Sequence, residues 1–147
     1  MQERDAAAPI APNKWGLVGG HVEPNEEFEA AAYRELAEET GVNWESGLLR
    51  WFDGEFQHSG AQQATRVQVW VAPTNLTDQD IVLGEGRQIV FVDPAQVDRL
   101  LIGEMASSFV PALLKSATYA DLVARAAAMG ESRSIAPTHE HATEGPF

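Results

Sequence analysis

Apolar and polar positions change rhythm several times along the chain, and each change marks an element. In residues 15–22 an apolar run is broken by Gly16, Gly19 and Gly20, which predicts a strand running into a tight glycine turn. Pro24 and Asn25 then open a helix that runs to about Thr40. Asn25 is an N-cap residue type, Glu26 and Glu27 suit the positive end of the helix dipole, and Gly41 stands where a closing glycine belongs. Residues 48–56, 66–72 and 88–92 carry β-branched, aromatic or alternating positions separated by Gly, Pro, Asn and Asp, and are read as strands. A short helix is expected over 94–101, capped by Asp93 with Pro94 at its first position, followed by helices over 107–115 and 119–129. Residues 5–13 hold Pro9 and Pro12 and read as a loop, while 130–147 show no period and are expected to be a flexible tail. Strands and helices intermixed around one core indicate an α/β or α+β sandwich.

A length of 147 residues suits one domain, and 44% hydrophobic with 22% charged residues excludes wholesale disorder. The sequence has no cysteine, which removes disulfides, thiolate zinc sites and a cysteine nucleophile. It holds no apolar run of the roughly 20 residues a membrane helix needs, and its first residues lack a secretory pattern, so a cytoplasmic location without membrane association is expected. The net charge of −12 repels phosphate backbones and argues against a nucleic-acid partner. An anionic substrate would need imported positive charge, for which a divalent metal is the obvious source.

The predicted helix over 25–40 carries the chemistry. At about 100° per residue, Ala31, Ala32, Glu35 and Glu39 fall within about 60° of Phe28, and Glu38 lies at the margin of that stripe. Glu35 and Glu39 therefore point toward the body of the protein. Three carboxylates in one turn repel one another, at the helix end where the dipole disfavours anions by a few tenths to about 1 kcal/mol each. Arg34 compensates one charge, not three. Mg²⁺ or Mn²⁺ would resolve the conflict, because both prefer carboxylate oxygens and the i, i+3, i+4 spacing gathers three of them.

Glutamates on helices are ordinarily solvated, but here they sit inside a longer pattern. Gly20, five residues, Glu26, seven residues, then Arg34-Glu35-Leu36-Ala37-Glu38-Glu39-Thr40-Gly41-Val42 resembles the box of the Nudix hydrolases at every defined position. Looser resemblance extends over residues 2–114. The resemblance implies a mixed-sheet α/β/α sandwich that hydrolyses nucleoside diphosphates linked to another group, with Mg²⁺ or Mn²⁺. It implies Glu35, Glu38 and Glu39 as metal ligands, one of which could also deprotonate or orient water, and the Gly19 carbonyl as a backbone ligand. Gly20, Glu26, Arg34 and Gly41 would support the site. Val18 stands where the family often has proline, and Asn25 where it often has glycine. Members usually have a complete strand and most of another before this point. Here Gln2-Glu3-Arg4 resembles only the end of the second, so the expectation is an N-terminally truncated domain over 1–129 that lacks the first strand.

The family often adds a carboxylate from a later loop as ligand or base. Glu85, in Gly84-Glu85-Gly86-Arg87 before the strand over 88–92, is the first candidate and Glu55 the second. Arg87 and Arg66 are weaker candidates for phosphate contacts, and Trp15 for stacking on a nucleobase; the four tryptophans otherwise read as packing residues. His139 and His141 in the tail are weak evidence for metal binding. A small nucleotide-type substrate is the expected partner, and a homodimer is compatible with the family's habits. A non-catalytic sensing module on the same fold is the competing class, disfavoured because it has no physical reason to keep all four box glutamates. An acidic calcium-binding protein is disfavoured because no Asp-rich loop of about twelve residues is present.

Overall fold

The structure, a computed structural model, describes residues 1–134, with side chains through Gly130. In chain order the elements are β1 (Gln2–Glu3), β2 (Trp15–Gly16), α1 (Phe28–Thr40), β3 (Leu49–Phe56), β4 (Thr65–Val71), β5 (Gln88–Ile89), α2 (Glu104–Leu114) and α3 (Ala117–Ser134), with 3₁₀ turns at Asp78–Asp80 and Pro94–Arg99. This is the mixed α/β architecture expected from the alternating patterns.

Two sheets form. In the first, β1 is central and pairs antiparallel with β2 on one side and β5 on the other. Ile102 joins the β2 edge by a parallel bridge to Trp15, where Trp15 N–H donates to Leu101 and Gly103 N–H to Trp15. The second sheet is the hairpin β3–β4, whose register shifts between Arg50 and Phe52. That shift resets the side-chain alternation, and both Trp51 and Phe52 reach the ring of Phe109.

Helix α2 joins the two sheets. Its Ala106 and Val110 are buried with Val97 and pack against Met1, Leu17, Val92, Ile102 and Leu114. Phe109, on the same helix, packs against Trp51, Phe52 and Phe56 of β3, with ring centroids 6.5, 4.8 and 5.7 Å away. A polar tie reinforces this joint. Glu104 accepts from the Ser59 amide at 2.7 Å and from its hydroxyl, which holds the Glu104 carboxyl below its ordinary range.

Several boundaries differ from the sequence expectation. The strand expected over 15–22 is only two residues long, because the glycine-rich segment after it turns toward α1 instead of pairing. Helix α1 begins at Phe28 with Glu27 as N-cap, not at Asn25. Asn25 has φ +65°, a left-handed backbone that cannot begin a right-handed helix. The strand expected over 88–92 ends at Ile89. Asp93 caps the following turn as expected, accepting from Ala95 N–H at 2.9 Å with Pro94 at the first position. Helix α3 runs to Ser134 rather than 129, so the first residues of the expected tail are helical; the alanine-rich stretch before Gly130 carries the helix past that single glycine. The rest of that tail, with His139 and His141, lies outside the described residues.

Candidate active site

The turn before α1 is shaped by one arginine. Arg34 Nε and Nη2 donate to the two oxygens of Glu26, both at 2.9 Å, and Nη2 also donates to the His21 carbonyl at 3.0 Å. Nη1 reaches Glu35 at 2.9 Å and Glu38 at 3.1 Å. Glu26 closes the turn by accepting from Glu23 N–H at 2.9 Å, while its own N–H donates to the Glu23 carbonyl. Asn25 at the apex takes the positive φ that the more usual glycine supplies, which Asn tolerates better than most residues. The bidentate Arg34 contact, with the Glu23 amide, drives the Glu26 carboxyl down to about 2, while hydrogen bonds to Glu26 and then Glu35 raise the already basic Arg34.

The three late glutamates take different environments, as the helical phase requires. Glu39 is 9% exposed. Its carboxylate accepts from the Gly19 N–H at 3.0 Å and makes no ion pair among the described residues. Burial pushes its carboxyl up and the neighbouring charges of Glu35 and Glu85 add to this, while the Gly19 amide and then Arg4 act the other way. Glu35 is half-buried against Gly20, where any side chain would collide with its carboxylate. Glu38 is exposed and turns toward Arg34. The Gly19 contact made here is through its N–H, with Gly19 at φ +142°.

Helix α1 ends at Gly41, φ +71°, whose N–H closes on Ala37 at 2.9 Å. A late loop satisfies two more of its terminal carbonyls: Val82 N–H donates to Thr40 at 2.8 Å and Gly84 N–H to Glu39 at 2.9 Å. Gly84 lies so close to the Glu38 carbonyl that a Cβ there would overlap it. The next residue is Glu85, exposed and electrostatically coupled to Glu39. Behind the loop, Gln2 is 2% exposed and donates through Nε2 to the Glu85 carbonyl at 3.1 Å, while Arg87 N–H donates to the Glu3 carbonyl at 2.8 Å.

The structure thus gathers Gly19, Gly20, Glu26, Arg34, Glu35, Glu39 and Glu85 around one end of α1. The weaker candidates are engaged elsewhere. Arg87 pairs with Glu3 at 2.7 Å and donates to Asn13. Arg66 forks onto Asp53 with both contacts at 3.1 Å, lowering that carboxyl, and lies over the Phe28 ring at 5.6 Å. Glu55 lines an open recess of about 400 Å³ with Asp53, Gly54 and Arg66 on the hairpin. Trp15 is half-buried, as are the other three tryptophans, which fits packing roles. Sequence reasoning missed Gln2 and Arg4; Gln2 reaches the late loop across the distant β1–β5 pairing, Arg4 extends the same strand, and no local pattern marks either.

No group of three or more His, Asp or Glu side chains converges as a ready cation cage among the described residues, since Glu35 and Glu38 are drawn to Arg34. The donor chemistry nevertheless fits a hard divalent cation: a buried carboxylate without a cationic partner, two further carboxylates on the same turn, and a fourth on the adjoining loop.

The NUDIX domain model matches residues 1–113. The chain belongs to the NUDIX domain family. The match runs from β1 to near the end of α2 and contains every residue of the cluster; α3 lies beyond it. Among similar proteins, the m7GpppN-mRNA hydrolase NUDT17 of Bos taurus is 41% identical over 51 residues, covering 35% of this chain and 17% of that protein. Diphosphoinositol polyphosphate phosphohydrolase 2 of Rattus norvegicus is 36% identical over 77 residues, covering 52% of this chain and 41% of that protein. These matches therefore span less than half the length of either relative. No helix among the described residues of this NUDIX chain is long and apolar enough to cross a membrane.

Proposed function

We propose that this chain is a pyrophosphohydrolase dependent on Mg²⁺ or Mn²⁺, acting on a nucleoside diphosphate linked to another group. The observation that carries the reading is Glu39, a buried carboxylate without an ion-pair partner, placed beside Glu35 and Glu85. An uncompensated buried charge costs several kcal/mol, and a fold keeps one where it serves a ligand. Membership of the NUDIX family supports the same chemistry. The two relatives named above are hydrolases whose names carry a "ppp" bridge and a diphospho group, so the element they share is a phosphoanhydride rather than a particular base or sugar.

Glu35, Glu38 and Glu39 would hold the cation, with the Gly19 carbonyl as a backbone ligand. A bound divalent cation supplies neutralisation of pyrophosphate charge and a water of lowered pKa. The protein's own contribution is placement. The Gly19 N–H fixes the Glu39 carboxylate, Arg34 fixes the turn through Glu26, and the absence of a side chain at Gly20 leaves Glu35 room beside the loop. In this reading Glu85, solvent-facing on a loop anchored to α1, would accept the proton of the attacking water as the P–O bond of the anhydride breaks.

The test is phosphate or nucleotide release from a panel of sugar nucleotides, ADP-ribose, dinucleotides and oxidised nucleoside triphosphates with Mg²⁺. The expected result is turnover of at least one substrate, with Glu39→Gln reducing it at least 10²-fold at unchanged fold. Release at the blank level for every substrate would leave only a sensing role. Calorimetric Mg²⁺ uptake that is indifferent to Glu35, Glu38 and Glu39 would remove the metal from the reading.

A further inference from the structure

The chain carries a net charge of −12, and on the pyrophosphohydrolase reading the acidic cluster at the end of α1 receives an anion. Fixed positive charge is therefore scarce where it is needed, and the arginines at the cluster and on the neighbouring elements are largely consumed. Arg34 is shared among Glu26, Glu35 and Glu38, Arg87 is held by Glu3 and Asn13, and Arg50 and Arg66 both pair with Asp53.

Arg4 is different. It makes no ion pair among the described residues, and its Nε is buried without a hydrogen-bond partner. A guanidinium N–H left unpaired inside a protein is costly, and such a group calls for a ligand. Its position is defined by backbone. Arg4 N–H donates to the Lys14 carbonyl at 3.0 Å, extending the β1–β2 ladder by one residue. The alternation of a strand puts Arg4 on the same face as Gln2. That face looks onto the late loop, since the Gln2 side chain bonds the Glu85 carbonyl and lies against Gly86. The Arg4 charge is also felt at Glu39.

We infer that Arg4 is a phosphate-binding residue, its guanidinium receiving a phosphate group of the substrate's pyrophosphate beside Glu39. This rests on the pyrophosphohydrolase reading and adds the residue that takes up the substrate's charge. A planar guanidinium suits a phosphate better than an ammonium does, because its paired N–H groups match two phosphate oxygens.

The experiment is titration calorimetry of the whole chain with methylenediphosphonate, a non-hydrolysable pyrophosphate analogue, in the presence of Mg²⁺. Arg4→Met is expected to weaken binding about 10-fold or more, Arg4→Lys to recover part of the loss, and Arg125→Met, an equal charge change on α3, to bind like the wild type. Mg²⁺ uptake without the diphosphonate is measured on the same proteins and is expected to be unchanged in Arg4→Met. If Arg4→Met does not fold by circular dichroism, Arg4→Gln carries the same comparison. Wild-type affinity for the diphosphonate in the variant overturns the inference, as does a parallel loss of Mg²⁺ uptake, which would show Arg4 acting only through Glu39. Failure of the parent reading is separate, seen as absent turnover and absent carboxylate-dependent Mg²⁺ uptake in the wild type.

Discussion

Glu26 and Glu39 show how the same side chain is driven in opposite directions within one helix and its leading turn. Glu26 is depressed to about 2 by Arg34 and the Glu23 amide. A depressed carboxyl contributes stability that is complete above its ordinary value of 4.5 and is lost as pH falls toward 2. Urea unfolding of the wild type and Glu26→Gln should therefore differ at pH 6, with the wild type more stable, and converge by about pH 2. Glu39 is raised by burial, so its ionised form weakens the metal-free fold. Glu39→Gln keeps an acceptor for the Gly19 amide and is expected to raise the stability of the metal-free protein by on the order of 1 kcal/mol while abolishing turnover. Thermal melts in a chelator check the first part. The opposite exposures of Glu38 and Glu39 follow from helical phase alone and were legible in the sequence. The environment of Arg4 was not, because it depends on β1 lying between β2 and β5, and the β1–β5 pairing joins residues more than 80 positions apart.

At the scale of elements, length decides what could be read. The hairpin strands β3 and β4, of 8 and 7 residues, carry enough alternation to declare themselves. The two-residue strands β1, β2 and β5 do not, since so short a segment has no period and is defined by its partner. From the sequence the loop over 82–86 offers Glu85 as a candidate carboxylate ahead of a strand, but nothing in its pattern shows that its amides finish α1. Gly84 is the tightest point of that junction. Gly84→Ala would drive a Cβ into the Glu38 carbonyl and is expected to cost about 1–3 kcal/mol and to lower turnover by displacing Glu85. Gly16→Ala, where a Cβ would meet nothing within 4 Å, serves as the control in the same denaturation series.

For the molecule as a whole, α2 is the piece that makes one body from two small sheets. Its Phe109 is 7% exposed and touches three aromatic rings of the hairpin strand β3, while Val110 beside it packs with the other sheet's neighbours. Phe109→Ala is expected to destabilise the fold by about 3–5 kcal/mol in chemical denaturation. Because the cluster around α1 draws no residue from that hairpin strand, the variant should retain Mg²⁺ uptake wherever it remains folded. The tie between α1 and the late loop has a separate result. Since the segment that supplies Glu85 is stitched to the peptide groups of Glu39 and Thr40 themselves, a displacement of one acidic group is expected to carry the other with it. Their spacing then survives rearrangements elsewhere that would scatter side chains presented by independent segments.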